Sequence, residues 1–440
     1  MVLNPPRLPR RPRPLRAQKR PRPPRPSRPP LIGIATVAGP LLVLAGAVYV
    51  AWLGFGVQTM GDYPGTFAPA MGALLAGHLG AFFHLLPEDG AGGSILLRAP
   101  GALVGKLLVG TQLASFRFGA LECVLALGGV GLWLARGMRA ERHSGIERAA
   151  VVGLCVIVPA LLDAILFGHP EEPLGAALCV TAVLLADDER PGLAGLALGL
   201  AIVNKPWGVL AIAPALLAAR RDRVRLAAFA GGIAGAWFLA AYVAAPAHFA
   251  DSIRALAPVA HPEEIWWPLT KRSAAPGVTP YHFLPAIVVA HARELAVLVA
   301  FGLSIPLARN AARTTEDCLA LLALAFLVRC LLDPSDHVYY HVPFVVALIA
   351  WEARTRGAPV LALLTTGLLW LVFHTVSGVA DVDVQFAAYM SVTAPLALIL
   401  LRPAIGRAGP PRRDAPAGLG APLRPPGAQG RRATRNAAAQ

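Results

Sequence analysis

Charge is scarce in this chain. Asp, Glu, Lys and Arg make up 15% of its 440 residues, against about 25% in a soluble domain. A water-soluble fold of this length is therefore excluded. Cysteine is scarcer still. The five are Cys123, Cys155, Cys179, Cys318 and Cys330, each inside an apolar run and none in CxxC spacing. That excludes a disulfide framework and points to packing rather than a thiolate metal site. The apolar runs do not alternate with polar residues, which excludes a β-barrel. No long polar insertion divides the chain, so one membrane domain is expected. No repeat relates its halves, which weighs against a transporter built from two symmetric bundles.

What the chain does have is apolar length. Hydrophobic residues make up 56%, and apolar runs recur from residue 31 to residue 401. About 20 residues cross the hydrocarbon as a helix. The runs predict an all-α polytopic bundle of about twelve helices, near 31–55, 113–135, 149–167, 173–186, 192–203, 206–219, 226–245, 286–308, 316–332, 341–351, 358–376 and 384–401. The membrane domain is read as 31–401. Segments 1–30 and 402–440 are Pro- and Arg-rich tails, expected to be disordered. The net charge of +15 would suit nucleic acid, but ten of the 40 basic residues lie in the first tail and eight in the second. Basic tails suit an anionic cytoplasmic leaflet, so no nucleic-acid partner is expected. No small-residue cleavage site follows the first run, which reads as an anchor.

Placing the N-terminal tail inside puts 31 of the 40 Lys and Arg on the inner face. The positive-inside rule then predicts a multi-pass plasma-membrane protein with both termini cytoplasmic. Ten of the eleven histidines fall on the outer side, with most of the acidic residues outside the tails. Any chemistry is expected there. The first outer loop, about 56–112, opens on GDYPG. Its two apolar stretches, FAPAMGALLAGHLGAFFHLL and SILLRAPGALVGKLLVG, read as interfacial helices. In the other long loop, Trp266 and Trp267 read as interface anchors.

Four constellations carry candidate chemistry. Asp62, just beyond the first span, is a general base or a turn aspartate. In GHPEEP, Pro170 suits a helix start, and acids in a first turn are favoured by the helix dipole. His169, Glu171 and Glu172 are equally placed to bind substrate or a divalent metal. Asp163, earlier in an apolar helix, needs a partner or a cavity. Lys205 lies between Asn204 and Pro206. Runs 192–203 and 206–219 are too short to cross, so the pair bends near the outer surface. Pro206 would head the second helix, with its free amides and Lys205 forming an anion site; a snorkelling lysine is the alternative. Asn204 and Trp207 flank Lys205 and count with it as substrate contacts. DPSDHVYYH adds Asp333, Asp336, His337, Tyr339, Tyr340 and His341 as ligands for a sugar or a divalent metal. No fixed metal template such as HExxH occurs, so no cofactor is certain.

GHPEEP followed by AGLALGLAIVNKP resembles the GHPD-like and AGLxLGLAxxxKP-like elements of the GT-C glycosyltransferases. The resemblance is strongest to the bacterial polyprenyl-phosphate-mannose-dependent type, glycosyltransferase family 87 and its relatives. It covers about 31–400 in architecture and is sharp over 163–207. It implies a GT-C-like bundle performing inverting transfer of mannose or another hexose or pentose. The donor would be a polyprenyl-phosphate sugar drawn from membrane lipid, and the acceptor a hydroxyl of a glycan, lipid or protein at the outer face. Asp62 maps to the base and Lys205 to a donor-phosphate contact, with His169 and Glu171 lining the site. Tyr63 follows Asp62 where many relatives carry a second acid. Two other readings remain: a transporter or flippase of a lipid-linked or acidic solute, and a non-catalytic scaffold.

Overall fold

A computed structural model describes residues 32–53, 60–86, 92–249, 259–272, 282–334 and 336–404. Segments 1–30 and 405–440 lie outside the described residues, as do Glu88, Asp89 and Asp251. The architecture is all-α. The only sheet among the described residues is an antiparallel pair, β1 (Lys271–Arg272) and β2 (His282–Phe283), in which Lys271 faces Phe283.

The chain runs α1 (Ile32–Leu53), α2 (Tyr63–Thr66), α3 (Ala68–Leu75), α4 (Leu79–His84), α5 (Gly92–Val109), α6 (Gln112–Ala140), α7 (Gly145–Val156), α8 (Pro159–Leu166), α9 (Glu171–Asp187) and α10 (Pro191–Asn204). A 3-10 turn, Pro206–Ala211, leads to α11 (Ile212–Ala218) and α12 (Arg223–Ala244). Then come α13 (Ala286–Arg309), α14 (Thr315–Leu332), a 3-10 turn at Val338–His341, and α15 (Val342–Thr355). Helix α16 (Val360–Trp370) passes through a π-helical turn, Leu371–Val376, into α17 (Ser377–Val379), and α18 (Val382–Ala404) follows. Among the described residues, seven stretches are long and apolar enough to cross a membrane: Gly92–Val109, Gln112–Ala140, Gly145–Leu166, Arg223–Ala244, Ala286–Arg309, Val360–Val379 and Val382–Pro403. The protein is a polytopic membrane bundle.

Three expectations change. SILLRAPGALVGKLLVG, expected to lie in the interface, is one uninterrupted helix, α5, long enough to cross. It lies against α6, where its small Gly101 and Gly105 admit the backbone of Phe118 and Ala114. The stretch before it is two short helices, α3 and α4, rather than one, with α2 ahead of them. Pro64 and Pro69 each start a new helix, and Gly77, at φ +78°, ends α3. Trp267 is buried, its indole N–H donating to Asp383 Oδ1 at 2.7 Å, and Trp266 donates to the Leu332 carbonyl at 2.9 Å. Both are tied into the fold rather than set as anchors.

Helix α6 is the long element; α1, α5, α7 and α9 all pack on it. The core lies between α9, α14 and α15, where Leu319 to Leu327 are all buried. The two glycines of AGLALGL meet α12. A Cβ on Gly195 would come within 2.4 Å of the Leu226 carbonyl oxygen, and one on Gly199 within 2.9 Å of Ile233 Cβ. Small residues four apart let two helices approach closely. Helix α10 is thereby pressed between α9 and α12, and its last residue, Asn204, is delivered to the start of α9.

Candidate active site

The loop that carries Asp62 is locked to the turn that carries His169. The Asp62 amide donates to the Phe167 carbonyl at 3.0 Å. The chains touch there through glycine: Gly61 has φ +52° and Gly168 φ +88°. A Cβ on Gly61 would fall 2.1 Å from the Phe167 carbonyl carbon, and one on Gly168 would fall 2.6 Å from the Met60 oxygen. Only glycine meets both demands, left-handed backbone and no side chain. The glycines of GDYPG and FGHPEEP therefore set Asp62 beside His169.

From Asp62 a row of alternating charges runs inward. His169 Nε2 lies 3.4 Å from Asp62 Oδ2, and its Nδ1 lies 2.7 Å from Glu171 Oε1. Lys205 Nζ donates to Glu171 Oε1 at 3.3 Å and to Glu172 Oε1 at 3.0 Å. Arg329, on α14, donates to both oxygens of Glu172 at 3.2 Å. Arg98, on α5, lies 3.7 Å from Glu171 Oε2. Asp333 closes the row, 3.8 Å from Arg329 and 3.0 Å from Arg293. Burial decides what the row is. The Glu171 and Glu172 side chains are 0% exposed, whereas that of Asp62 is 69% exposed. Buried acids persist as charges only where cations and hydrogen bonds surround them. Here Glu171 contacts three basic groups, His169, Lys205 and Arg98, and Glu172 contacts two, Lys205 and Arg329. One carboxylate, Asp62, is exposed.

Protonation follows from this arrangement. Burial opposes a charged ring at His169, but the Glu171 carboxylate and hydrogen bonds to Asp62 and Glu171 outweigh it and push the imidazole up to about 9. The hydrogen bond from that ring holds the Asp62 carboxyl below its usual 3.8. At neutral pH Asp62 is an ionised acceptor at the exposed end of the row. Burial and the neighbouring His261 push His337 down to about 4, so that ring is neutral.

An aromatic layer covers the row. Tyr339 stacks on His169 at 4.4 Å between centroids and on His337 at 5.4 Å. The Arg329 guanidinium lies over Tyr340 at 4.5 Å and Trp207 at 4.9 Å, and the Lys205 ammonium lies over Tyr340 at 5.8 Å. Such contacts favour cations out of water. Beyond them opens a cavity of about 1370 Å³, lined by Lys205, Trp207, Arg293, Arg329 and Tyr340 with the apolar faces of Trp237, Phe238 and Phe249. Its wall is mostly apolar and its basic groups lie together on α13, α14 and the turn after α10.

The residues expected from the sequence divide into three sets. Asp62, His169, Glu171, Glu172 and Lys205 are joined in one row, with Trp207 and Tyr340 packed against its basic members. Asn204 supports it, its side-chain amide donating to the Glu171 carbonyl at 2.8 Å. Asp163 lies instead against His374, at 3.4 Å. Asp336 and His341 form a separate buried group with Tyr389, and His337 lies in the aromatic layer. The amide anion site expected at Pro206 is not built. Pro206 heads a 3-10 turn, and the Gly208 amide is taken by the Lys205 carbonyl at 2.9 Å. The nearby positive charge is on side chains, Lys205, Arg293 and Arg329, each paired with an acid. Arg98 and Arg329 were not among the expected site residues. The two arginines carried a signal: each is a cation inside an apolar helix, and such a group needs a partner. For a metal, the one group of three donors close together among the described residues is Cys330, Asp336 and His341, all buried.

A family model described as glycosyltransferase family 87 matches residues 93–334. The match takes in Arg98, the stretch from Asp163 to Trp207 and Arg329, and begins after Asp62. No curated protein matches the chain.

Proposed function

The chain belongs to glycosyltransferase family 87, and we propose that it transfers a sugar from a polyprenyl-phosphate donor to an acceptor hydroxyl at the outer face of the membrane. The observation that carries this reading is the pairing of a large apolar cavity with basic side chains on its wall, Lys205, Arg293 and Arg329. A prenyl chain needs the first and its phosphate the second.

The reaction follows from the ends of the row. The acceptor approaches Asp62, the exposed carboxylate. Asp62 accepts the hydroxyl proton as the oxygen attacks the anomeric carbon. The bond from that carbon to the phosphate oxygen breaks, and the electron pair leaves with the phosphate. Lys205 and the arginines of the cavity wall stabilise the charge that develops there. One displacement inverts the anomeric centre. His169 acts as a positioning residue: it holds Asp62 ionised and oriented. Glu171 and Glu172 keep Lys205 and Arg329 charged and fixed in a buried place. The sugar is mannose or a related hexose or pentose, and the acceptor a glycan, lipid or protein hydroxyl.

The test uses purified full-length protein in liposomes with a radiolabelled polyprenyl-phosphate mannose and a mannoside acceptor. Transfer by the wild type, with loss on Asp62→Asn and on Lys205→Met, is expected. Undiminished transfer by both variants would overturn the assignment of base and phosphate contact.

A further inference from the structure

Beside the Arg329 end of the row lies a second polar group that the transfer reaction does not use. Cys330 Sγ, a carboxylate oxygen of Asp336 and a ring nitrogen of His341 lie within 4.8 Å of one another, and all three residues are buried. The Tyr389 hydroxyl donates to Asp336 Oδ2 at 3.2 Å and lies 2.9 Å from His341 Nε2, so the phenol ties these two side chains together. Asp336 Oδ1 is fully buried and has no hydrogen-bond partner among the described residues. A buried carboxylate oxygen left in this way is costly.

The charge around Asp336 points the same way. Its foremost charged neighbours are three carboxylates, Glu263, Glu264 and Asp333, and one cation, Arg329. That guanidinium is already bonded to Glu172 and paired with Asp333. Carboxyl groups thus outnumber cationic groups around Asp336. A thiolate, an imidazole and a carboxylate are the donor set of zinc. Tetrahedral zinc holds such donors roughly 3.3–3.8 Å apart, so the group needs to close by about 1 Å.

We propose that Cys330, Asp336 and His341 bind a zinc ion with a structural role. The three ligands come from the end of α14, from the segment that follows and from the turn into α15. An ion there pins 333–341 to the bundle, and with it Tyr339 and Tyr340, which cover His169, Lys205 and Arg329. The inference does not depend on which donor or base the enzyme uses. Binding of zinc by Cys330 also departs from the packing role that its spacing suggested.

The experiment measures metal directly. Full-length protein, purified in detergent without added chelator, is assayed by inductively coupled plasma mass spectrometry. About one zinc per chain is expected, falling to background in Cys330→Ser and His341→Ala, whereas Cys179→Ser, at a buried cysteine elsewhere, keeps it. Cobalt substituted into the wild type should give a thiolate-to-metal charge-transfer band that Cys330→Ser lacks. A chelator should lower the melting temperature of the wild type and leave that of Cys330→Ser unchanged. Should the Cys330 and His341 variants fail to fold, the wild-type zinc content and cobalt spectrum decide alone. Folded wild type free of zinc, or cobalt protein without the thiolate band, would overturn the proposal.

Discussion

Replacing Lys205 by Met removes one ammonium and leaves two glutamates that no water reaches. In the native protein that ammonium is 3.0 Å from Glu172 and 3.3 Å from Glu171. At an effective dielectric constant of ~20 each contact is an attraction of roughly 5 kcal/mol before desolvation is subtracted. Breaking a buried pair by removing one partner costs about 3–5 kcal/mol. Here the low end applies. Glu172 keeps two bonds from Arg329, and Glu171 keeps His169 and Arg98. A loss of ~3 kcal/mol is expected, above a hundredfold in the folding equilibrium at 1.36 kcal/mol per decade. The assay is thermal unfolding in detergent, read with the double variant Lys205→Met/Glu172→Gln. Removing the stranded charge should restore part of the loss, with a coupling of roughly 1–3 kcal/mol. Per folded molecule, transfer by Lys205→Met should fall by roughly 10²–10³, the cost of one lost stabiliser of developing charge. An unchanged melting temperature, or singles that simply add, would refute the shared-ammonium account.

Asp62→Asn should lower transfer by roughly 10²–10⁴ with little change in melting temperature, because the Asp62 side chain is 69% exposed; rate and unfolding are measured on the same preparation. Gly168→Ala should destabilise the protein by more than ~1 kcal/mol and reduce transfer as well, since φ there is +88° and a Cβ meets Met60; a circular-dichroism melt with a rate assay reads both. The pH profile has a stated sign. The folded value of His169 is raised above 6.5 to about 9, so its stabilising contribution is complete below pH 6.5 and lost as pH rises through about 9. Melting temperature and transfer should both fall through that window, and His169→Gln should flatten the first. On the acid side, Asp62 is held below 3.8, so its ionisation limits the rate only under strongly acidic conditions.

Much of this molecule was legible before any coordinates, for reasons that can be named. Apolar runs in a charge-poor chain leave a helical bundle as the sole outcome, because lipid satisfies no backbone group. Lys205 and GHPEEP were conspicuous because charge inside an apolar stretch needs a partner. What spacing could not show was who that partner was. Lys205 was read as a phosphate contact; it is first the counter-ion of Glu171 and Glu172, more than thirty residues away. SILLRAPGALVGKLLVG was read as interfacial, yet the charge of Arg98 within it is satisfied at Glu171 and Ser94, and the helix runs unbroken. The AGLALGL glycines belong to the helix packing that delivers Asn204 and Lys205, not to substrate. The contact between Gly61 and Gly168 joins loops more than a hundred residues apart and was beyond any local pattern. So was the meeting of Cys330 with Asp336 and His341 across a turn.

The central claim is that donor binding and proton removal lie at opposite ends of one charged row. The direct measurement is donor binding beside transfer in Asp62→Asn, using a radiolabelled polyprenyl-phosphate sugar in liposomes. The account predicts donor affinity within about threefold of wild type, under 0.7 kcal/mol, with transfer reduced at least ~100-fold. Wild-type transfer by Asp62→Asn, or loss of donor binding in step with loss of transfer, would contradict it.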